Sequence, residues 1–236
     1  MRVIIIIPAF NESENIKRVV NDIKKENTNW DILVVNDCSL DNTSAIAKST
    51  KQAFVLDLPF NLGIGGAVQA GFKYAKTHNY DIAIKYDGDG QHLPGEIKTL
   101  LNVMSENNVD VVIGSRFLEK HDGFKSTLMR RVGIKIFQIL NSMLIKQKIT
   151  DNTSGFIAFN KKVISFFAEH YPTDYPEPES IINLKKNGFV IKEVFVKMQH
   201  RQGGKSSISG LKSVYYMFKV ILAIIMGSMR KKILRD

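Results

Sequence analysis

The chain has 236 residues, 44% of them apolar and 24% charged, enough to bury one sizeable core and too ordered a composition for a disordered tail. Thirty-three Lys and Arg against 23 Asp and Glu leave a net charge of +10, so an anionic partner is expected: a phosphate compound, a nucleic acid or an anionic membrane surface. One cysteine, Cys38, excludes an intramolecular disulfide, and the apolar start at residues 3–7 is too short for a secretory core, so a reducing, cytosolic compartment is expected.

Residues 3–7 form a continuous β-branched run, the pattern of a strand covered on both faces, and residues 31–35, 53–58, 81–86 and 109–114 repeat it. Helix-length segments lie between them at residues 13–25, 42–49, 65–76 and 94–105. This alternation predicts an α/β fold: a doubly wound, mostly parallel sheet with helices on both faces. Ligands of such sheets sit at the carboxyl ends of the strands, which directs attention to loops 8–12, 36–41, 61–66 and 87–92, and to the chain from Ser115 onward.

Past the fifth strand the alternation stops. A longer helix (128–146), a short strand (156–160), two further helices and a last strand (190–199) are expected, with mobile loops at 117–126 and 200–210. From Leu211 onward, Val214, Phe218, Ile221, Ile225 and Met229 recur at helical spacing, while Lys212, Lys219 and Arg230 stack on the opposite side. Such a segment reads as a helix lying in a bilayer surface or as a final helix packed on the sheet. No run reaches the roughly 18–20 apolar residues of a spanning helix.

The first strand–helix turn holds no glycine, and Gly63-Ile64-Gly65-Gly66-Ala67-Val68 lacks the last glycine of the dinucleotide fingerprint, so a nicotinamide cofactor is not expected. Gly204-Lys205-Ser206 has no glycine five places upstream, which removes the Walker reading. Asp87-Gly88-Asp89-Gly90 ends a strand with two carboxylates two residues apart. Taken alone it is a common turn; at the carboxyl end of a central strand it suits Mg²⁺ or Mn²⁺, completed by substrate phosphates, with Gln91 or His92 nearby. Asp37 offers a carboxylate at the second strand end, whereas Asp41 can simply cap the next helix. The loop Asn61-Leu62-Gly63 runs into a helix whose amides could meet a diphosphate, or it merely needs positive φ.

Taken in order, Ile7-Pro8-Ala9-Phe10-Asn11-Glu12, Val35-Asn36-Asp37-Cys38-Ser39, Asn61-Leu62-Gly63, Asp87-Gly88-Asp89-Gly90-Gln91-His92, Gly114-Ser115-Arg116 and Thr153-Ser154-Gly155-Phe156 resemble family 2 glycosyltransferases of the A-type fold. The branch they are most similar to is that of dolichyl-phosphate mannose synthases and bacterial polyprenyl-phosphate hexosyltransferases. The resemblance implies transfer of a sugar from a nucleoside diphosphate sugar with inversion at the anomeric carbon. It implies that Pro8, Phe10, Glu12 and Asp37 surround the nucleoside, that Asp87, Asp89 and Gln91 hold the metal, that Arg116, the pair Arg130 and Arg131, and Arg201 lie near the acceptor phosphate and the donor diphosphate, and that Asn61, Gly63 and Ser154 also bind substrate.

A polyprenyl phosphate acceptor is already ionised and needs no base, whereas a sugar hydroxyl would need one, and Asp151, Glu177 or Glu179 could supply it. The expected organisation is a catalytic domain over 1–210 and a basic membrane-surface helix over 211–236, peripheral on the inner face of the membrane, where each Lys or Arg adds about 1 kcal/mol. A lipid-linked acceptor in surface-glycan assembly is the expected substrate. A small membrane-spanning partner and an oligomer are left open, and nucleic acid is not expected, because the cations are spread while the carboxylates gather at strand ends. The competing readings are a sugar nucleotidyltransferase, which would normally carry a Gly-rich basic loop after its first strand, and a basic nucleic-acid-binding protein.

Overall fold

The structure is a computed structural model that describes residues 1–106, 108–118, 147–173, 176–199 and 233. Seven strands form one sheet in the order β3-β2-β1-β4-β6-β5-β7. They are β1 (Val3–Ala9), β2 (Asp31–Asn36), β3 (Phe54–Asp57), β4 (Ile82–Lys85), β5 (Val111–Ser115), β6 (Ile157–Asn160) and β7 (Ile191–Phe195). The helices are α1 (Ile16–Glu26), α2 (Thr43–Ser49), α3 (Gly63–Thr77), α4 (Glu96–Glu106), α5 (Lys161–His170) and α6 (Pro176–Lys186).

Every pairing is parallel except those of β6, which runs antiparallel to both β4 and β5. The winding direction reverses between β1 and β4, so a crevice opens where loops 8–12 and 87–92 leave the sheet. The β-branched run of β1 is explained by a core on each face. Ile4 and Ile6 join Phe72, Phe159 and Phe167 on one side, and Val3, Ile5 and Ile7 join Ile16, Val20, Ile23, Ile97 and Leu100 on the other. Fully burying one such side chain is worth about 1.5–3 kcal/mol, which a single polar substitution in β1 would forfeit on the face that residue points to.

Several boundaries differ from the sequence expectation for local reasons. Helix α1 starts at Ile16, not residue 13, because the Asn15 and Ile16 amides donate to the Glu12 carbonyl and close a turn first. The stretch 190–199 is a strand only to Phe195; Met198 then bridges His92, and the Gln199 amide donates to the Gln91 carbonyl at 2.9 Å. Pro176 and Pro178 occupy the first turn of α6, where an amide hydrogen would have no partner in any case. The expected helix 128–146 and the basic segment 211–236 apart from residue 233, and with it the boundary at 210, fall outside the described residues. Among the described residues no helix is long and apolar enough to cross a membrane.

Candidate active site

Strand β4 delivers the acidic loop. Burial by itself would raise the Asp87 carboxyl, but the nearby His92 and the charges of Lys85 and Arg116 outweigh it and hold Asp87 well below the usual carboxylate range. Its side chain remains 37% exposed, and its Oδ2 stands 3.5 Å from His92 Nε2. Asp89 Oδ1 accepts from the Gln91 amide at 3.0 Å, which fixes the turn. Gly90 has φ +73°, a left-handed backbone conformation that favours glycine. Among the described residues no cluster of three or more His, Cys, Asp or Glu is placed to hold a metal. Two ionised or ionisable carboxylates and an amide carbonyl suit a hard cation whose remaining ligands come from a diphosphate and water, so the residues present fit Mg²⁺ or Mn²⁺.

The residues expected on the donor side assemble at the carboxyl ends of β1 and β2. Pro8 is buried in β1 opposite Val35, and Phe10 just beyond is 46% exposed. Glu12 accepts from Asn15 Nδ2 at 2.9 Å through its carboxylate, and its amide donates to Thr43 Oγ1. Asp37 is buried; its Oδ1 accepts from the Leu62 amide at 2.7 Å, and Asn61 Nδ2 donates back to its carbonyl, so Asp37 ties β2 to the loop that opens α3. Gly63 takes φ +73° as the first residue of α3. Asp41 does stabilise the start of α2, accepting from the Thr43 and Ser13 amides. Asn11 and Cys38 both hold left-handed backbone conformations (φ 54° and 57°), strain of the kind that collects at ligand sites.

The other side of the crevice is built by an ion pair and a close approach. Arg116, just past β5, grips Asp151 with two parallel bonds, Nε to Oδ2 at 2.6 Å and Nη2 to Oδ1 at 2.7 Å, and also donates to Thr153 Oγ1. Asp151 is fully buried, and its amide donates to Glu193 Oε1, which also accepts from the Thr150 hydroxyl. Burial pushes the Glu193 carboxyl up despite those bonds. Ser154 is buried and donates to the Gly114 carbonyl at 2.7 Å, a structural tie to β5. A Cβ on Gly155 would lie 1.9 Å from Asp87 Oδ2, so the backbone at Gly155 lies against the acidic-loop carboxylate.

Sequence reasoning missed a buried charge beneath the site. Lys85 is 1% exposed and donates to Glu177 of α6. Burial would lower its amine, but the carboxylate of Glu177, with Tyr171 and Asp87, raises it instead. The signal was present as a lone lysine in the apolar strand Ile82-Ala83-Ile84. Glu179, two residues further along α6, is buried. The structure thus brings together Asp87, Asp89, Gln91, Arg116, Asp151 and Ser154 across β4, β5 and β6, and holds Pro8, Phe10, Glu12, Asp37, Asn61 and Gly63 across β1 and β2. Arg130, Arg131 and Arg201 lie outside the described residues.

With this geometry in hand, the family model "Glycosyl transferase family 2" matches residues 4–167. The chain belongs to glycosyl transferase family 2. Similar curated proteins include UDP-N-acetylglucosamine–dolichyl-phosphate N-acetylglucosaminyltransferase of Methanococcus voltae, 30% identical and aligned over 96% of each chain. Polyprenol monophosphomannose synthase of Mycolicibacterium smegmatis is 30% identical over 93% of this chain and 85% of its own. Among solved structures, glucosyl-3-phosphoglycerate synthase of Mycobacterium tuberculosis, crystallised with Mn²⁺ and UDP-glucose, superposes with a TM-score of 0.71 at 15% identity, covering 96% of this chain and 79% of that one, a likeness of fold. This family 2 chain is therefore a glycosyltransferase, and the nucleotidyltransferase and nucleic-acid-binding readings are not sustained.

Proposed function

We propose that the protein moves a sugar from a nucleoside diphosphate sugar to a polyprenyl phosphate, with inversion at the anomeric carbon. One observation carries the choice of acceptor: two of the carboxylates that could deprotonate a hydroxyl are closed by cations, Asp151 by the two-point grip of Arg116 and Glu177 by Lys85. A carboxylate held this way is a poor base, and a phosphate oxygen needs none. The relatives named for dolichyl-phosphate and polyprenol transfer support the same acceptor class.

In this reading Asp87 and Asp89, with Gln91, hold a divalent cation on the donor diphosphate, whose chemistry is to neutralise charge on the leaving group. Pro8, Phe10, Glu12, Asp37, Asn61 and Gly63 seat the nucleoside. Arg116, oriented by Asp151, sets a fixed positive charge beside the acceptor phosphate, and Arg131, Arg201 and Ser154 complete that side. An acceptor phosphate oxygen attacks the anomeric carbon from the face opposite the diphosphate, the bond to the diphosphate breaks, and a nucleoside diphosphate departs. Glu179 takes no proton in this scheme. The protein works at the cytoplasmic face of the membrane, its +10 charge and the basic segment 211–236 favouring anionic lipid, in the assembly of surface glycans.

The test is nucleoside diphosphate release from a panel of UDP-, GDP- and TDP-sugars with Mn²⁺, with and without undecaprenyl phosphate. Release that depends on the lipid phosphate, and that Asp89→Asn abolishes, is expected. Full activity in Asp89→Asn sinks the metal assignment, and turnover with glycan hydroxyls but not with the lipid phosphate sinks the acceptor.

A further inference from the structure

Strand β7 carries an acid where its pattern calls for an apolar side chain. Residues two apart on a strand share a face, so Ile191, Glu193 and Phe195 point the same way, and Ile191 is buried in the same core layer as Ile113. Drawing a carboxylate out of water there is costly unless its oxygens are met, and one short segment meets them. Oε1 accepts from the Thr150 hydroxyl and from the Asp151 amide, each at 2.9 Å, and Oε2 accepts from the Thr150 amide at 2.8 Å. These bonds are not what keeps β7 in the sheet, since Ile191–Phe195 already pair in parallel with β5 along their whole length.

The segment that Glu193 grips is the one that holds Arg116. Asp151 takes the guanidinium with both of its oxygens, and its Oδ2 also accepts from the Arg116 amide at 3.2 Å. Thr150 gives its hydroxyl hydrogen to Glu193, so the Ser115 hydroxyl, 2.7 Å away, donates to Thr150, and the Ser115 oxygen in turn accepts from the Phe117 amide at 3.2 Å. Ser115 and Phe117 flank Arg116 in the chain. One carboxylate therefore anchors both the partner of the guanidinium and the backbone from which the guanidinium extends. A planar fork needs that support, because its direction is set by its two parallel bonds, and a slack Asp151 would let it swing.

We propose that Glu193 is a positioning residue for the acceptor side: by fixing Asp151 and the chain around Arg116, it aims the guanidinium at the acceptor phosphate. The inference rests on the polyprenyl phosphate reading of Arg116 above. Glu193 acts through Asp151 and Thr150 and moves no proton.

The experiment follows nucleoside diphosphate release with Mn²⁺ in wild type, Glu193→Gln, Arg116→Lys and the double variant, varying undecaprenyl phosphate and the sugar nucleotide in turn. Glutamine keeps the shape but sets amide hydrogens against donors that need an acceptor. In Glu193→Gln, kcat/KM for the lipid phosphate should fall about 10-fold, while KM for the sugar nucleotide stays within about twofold of wild type. The double variant should lose little beyond Arg116→Lys, because both changes undo one arrangement. Thr150→Val removes the hydroxyl link and leaves the two amide bonds, so it should show a smaller loss of the same kind, and it carries the comparison with Arg116→Lys if Glu193→Gln does not fold. Lipid-phosphate kinetics unchanged from wild type, a lowered melting temperature with equal losses for both substrates, or losses that multiply in the double variant would each overturn the assignment. If Arg116→Lys itself leaves the lipid-phosphate kinetics unchanged, the acceptor-side reading of Arg116 fails and takes this one with it.

Discussion

Replacing Gly155 by alanine strikes the site without removing or adding a titratable group. The added Cβ would lie 1.9 Å from Asp87 Oδ2, 2.4 Å from Cγ and 2.5 Å from Oδ1, and real Cβ atoms essentially never come within 3.0 Å of another heavy atom. The carboxylate must therefore retreat by about 1 Å, a displacement that costs on the order of 100-fold in rate where reacting groups are held in register. Gly155 is not among the residues with positive φ, so alanine fits the backbone. With 37% of its side chain exposed, Asp87 can swing toward solvent, which keeps the overpacking penalty near the low end of about 1–3 kcal/mol. We expect kcat/KM for nucleotide release to drop by roughly 100-fold, Mn²⁺ dependence to shift to higher concentration, and the melting temperature to fall by only a few degrees. A variant within threefold of wild type would show that the carboxylate has no need to sit where Gly155 lets it sit.

The buried pair beneath the site predicts an asymmetry: Glu177→Gln leaves Lys85 charged and 1% exposed, whereas Lys85→Met leaves Glu177 nearer the surface. Urea unfolding should show the first variant losing up to about 3–5 kcal/mol and the second less, with the double variant recovering part of the loss. Because the folded-state carboxyl of Asp87 lies below its unfolded value, its ionised form stabilises the native chain above about pH 4, and that contribution fades as the pH falls further. Asp87→Asn should consequently flatten the stability curve between about pH 4 and pH 2, and an unchanged curve would contradict the electrostatics. Arg116→Lys keeps the charge but loses the fork, so kcat/KM should fall about tenfold or more, measured against lipid phosphate; a neutral result would remove Arg116 from the acceptor side.

Much of the donor half was legible because it is written locally. Continuous β-branched runs marked the parallel strands, and each loop that follows one carries its chemistry within a few residues, as in Pro8 to Glu12 or Asp87 to His92. The acceptor half was not, because it is assembled by pairing that no short window contains. Strand β6 inserts antiparallel between β4 and β5, and only that insertion sets Gly155 on Asp87 and Asp151 within reach of Arg116, contacts spanning 68 and 35 residues of sequence. Asp151 and Glu177 looked like candidate bases for the same reason: a carboxylate shows its charge in the sequence, but not the cation that neutralises it.

That difference bears directly on mechanism. Arg116 acts on both Asp151 and Asp87, bonded to the first and lowering the second by its charge. Were Asp151 a base, it would have to release Arg116 and take a proton into a fully buried position, leaving an unmatched guanidinium beside the acidic loop. Removing one partner of such a pair is penalised far more heavily than keeping both. The arrangement therefore favours a nucleophile that arrives already ionised, and it assigns Asp151 the work of aiming a cation rather than moving a proton.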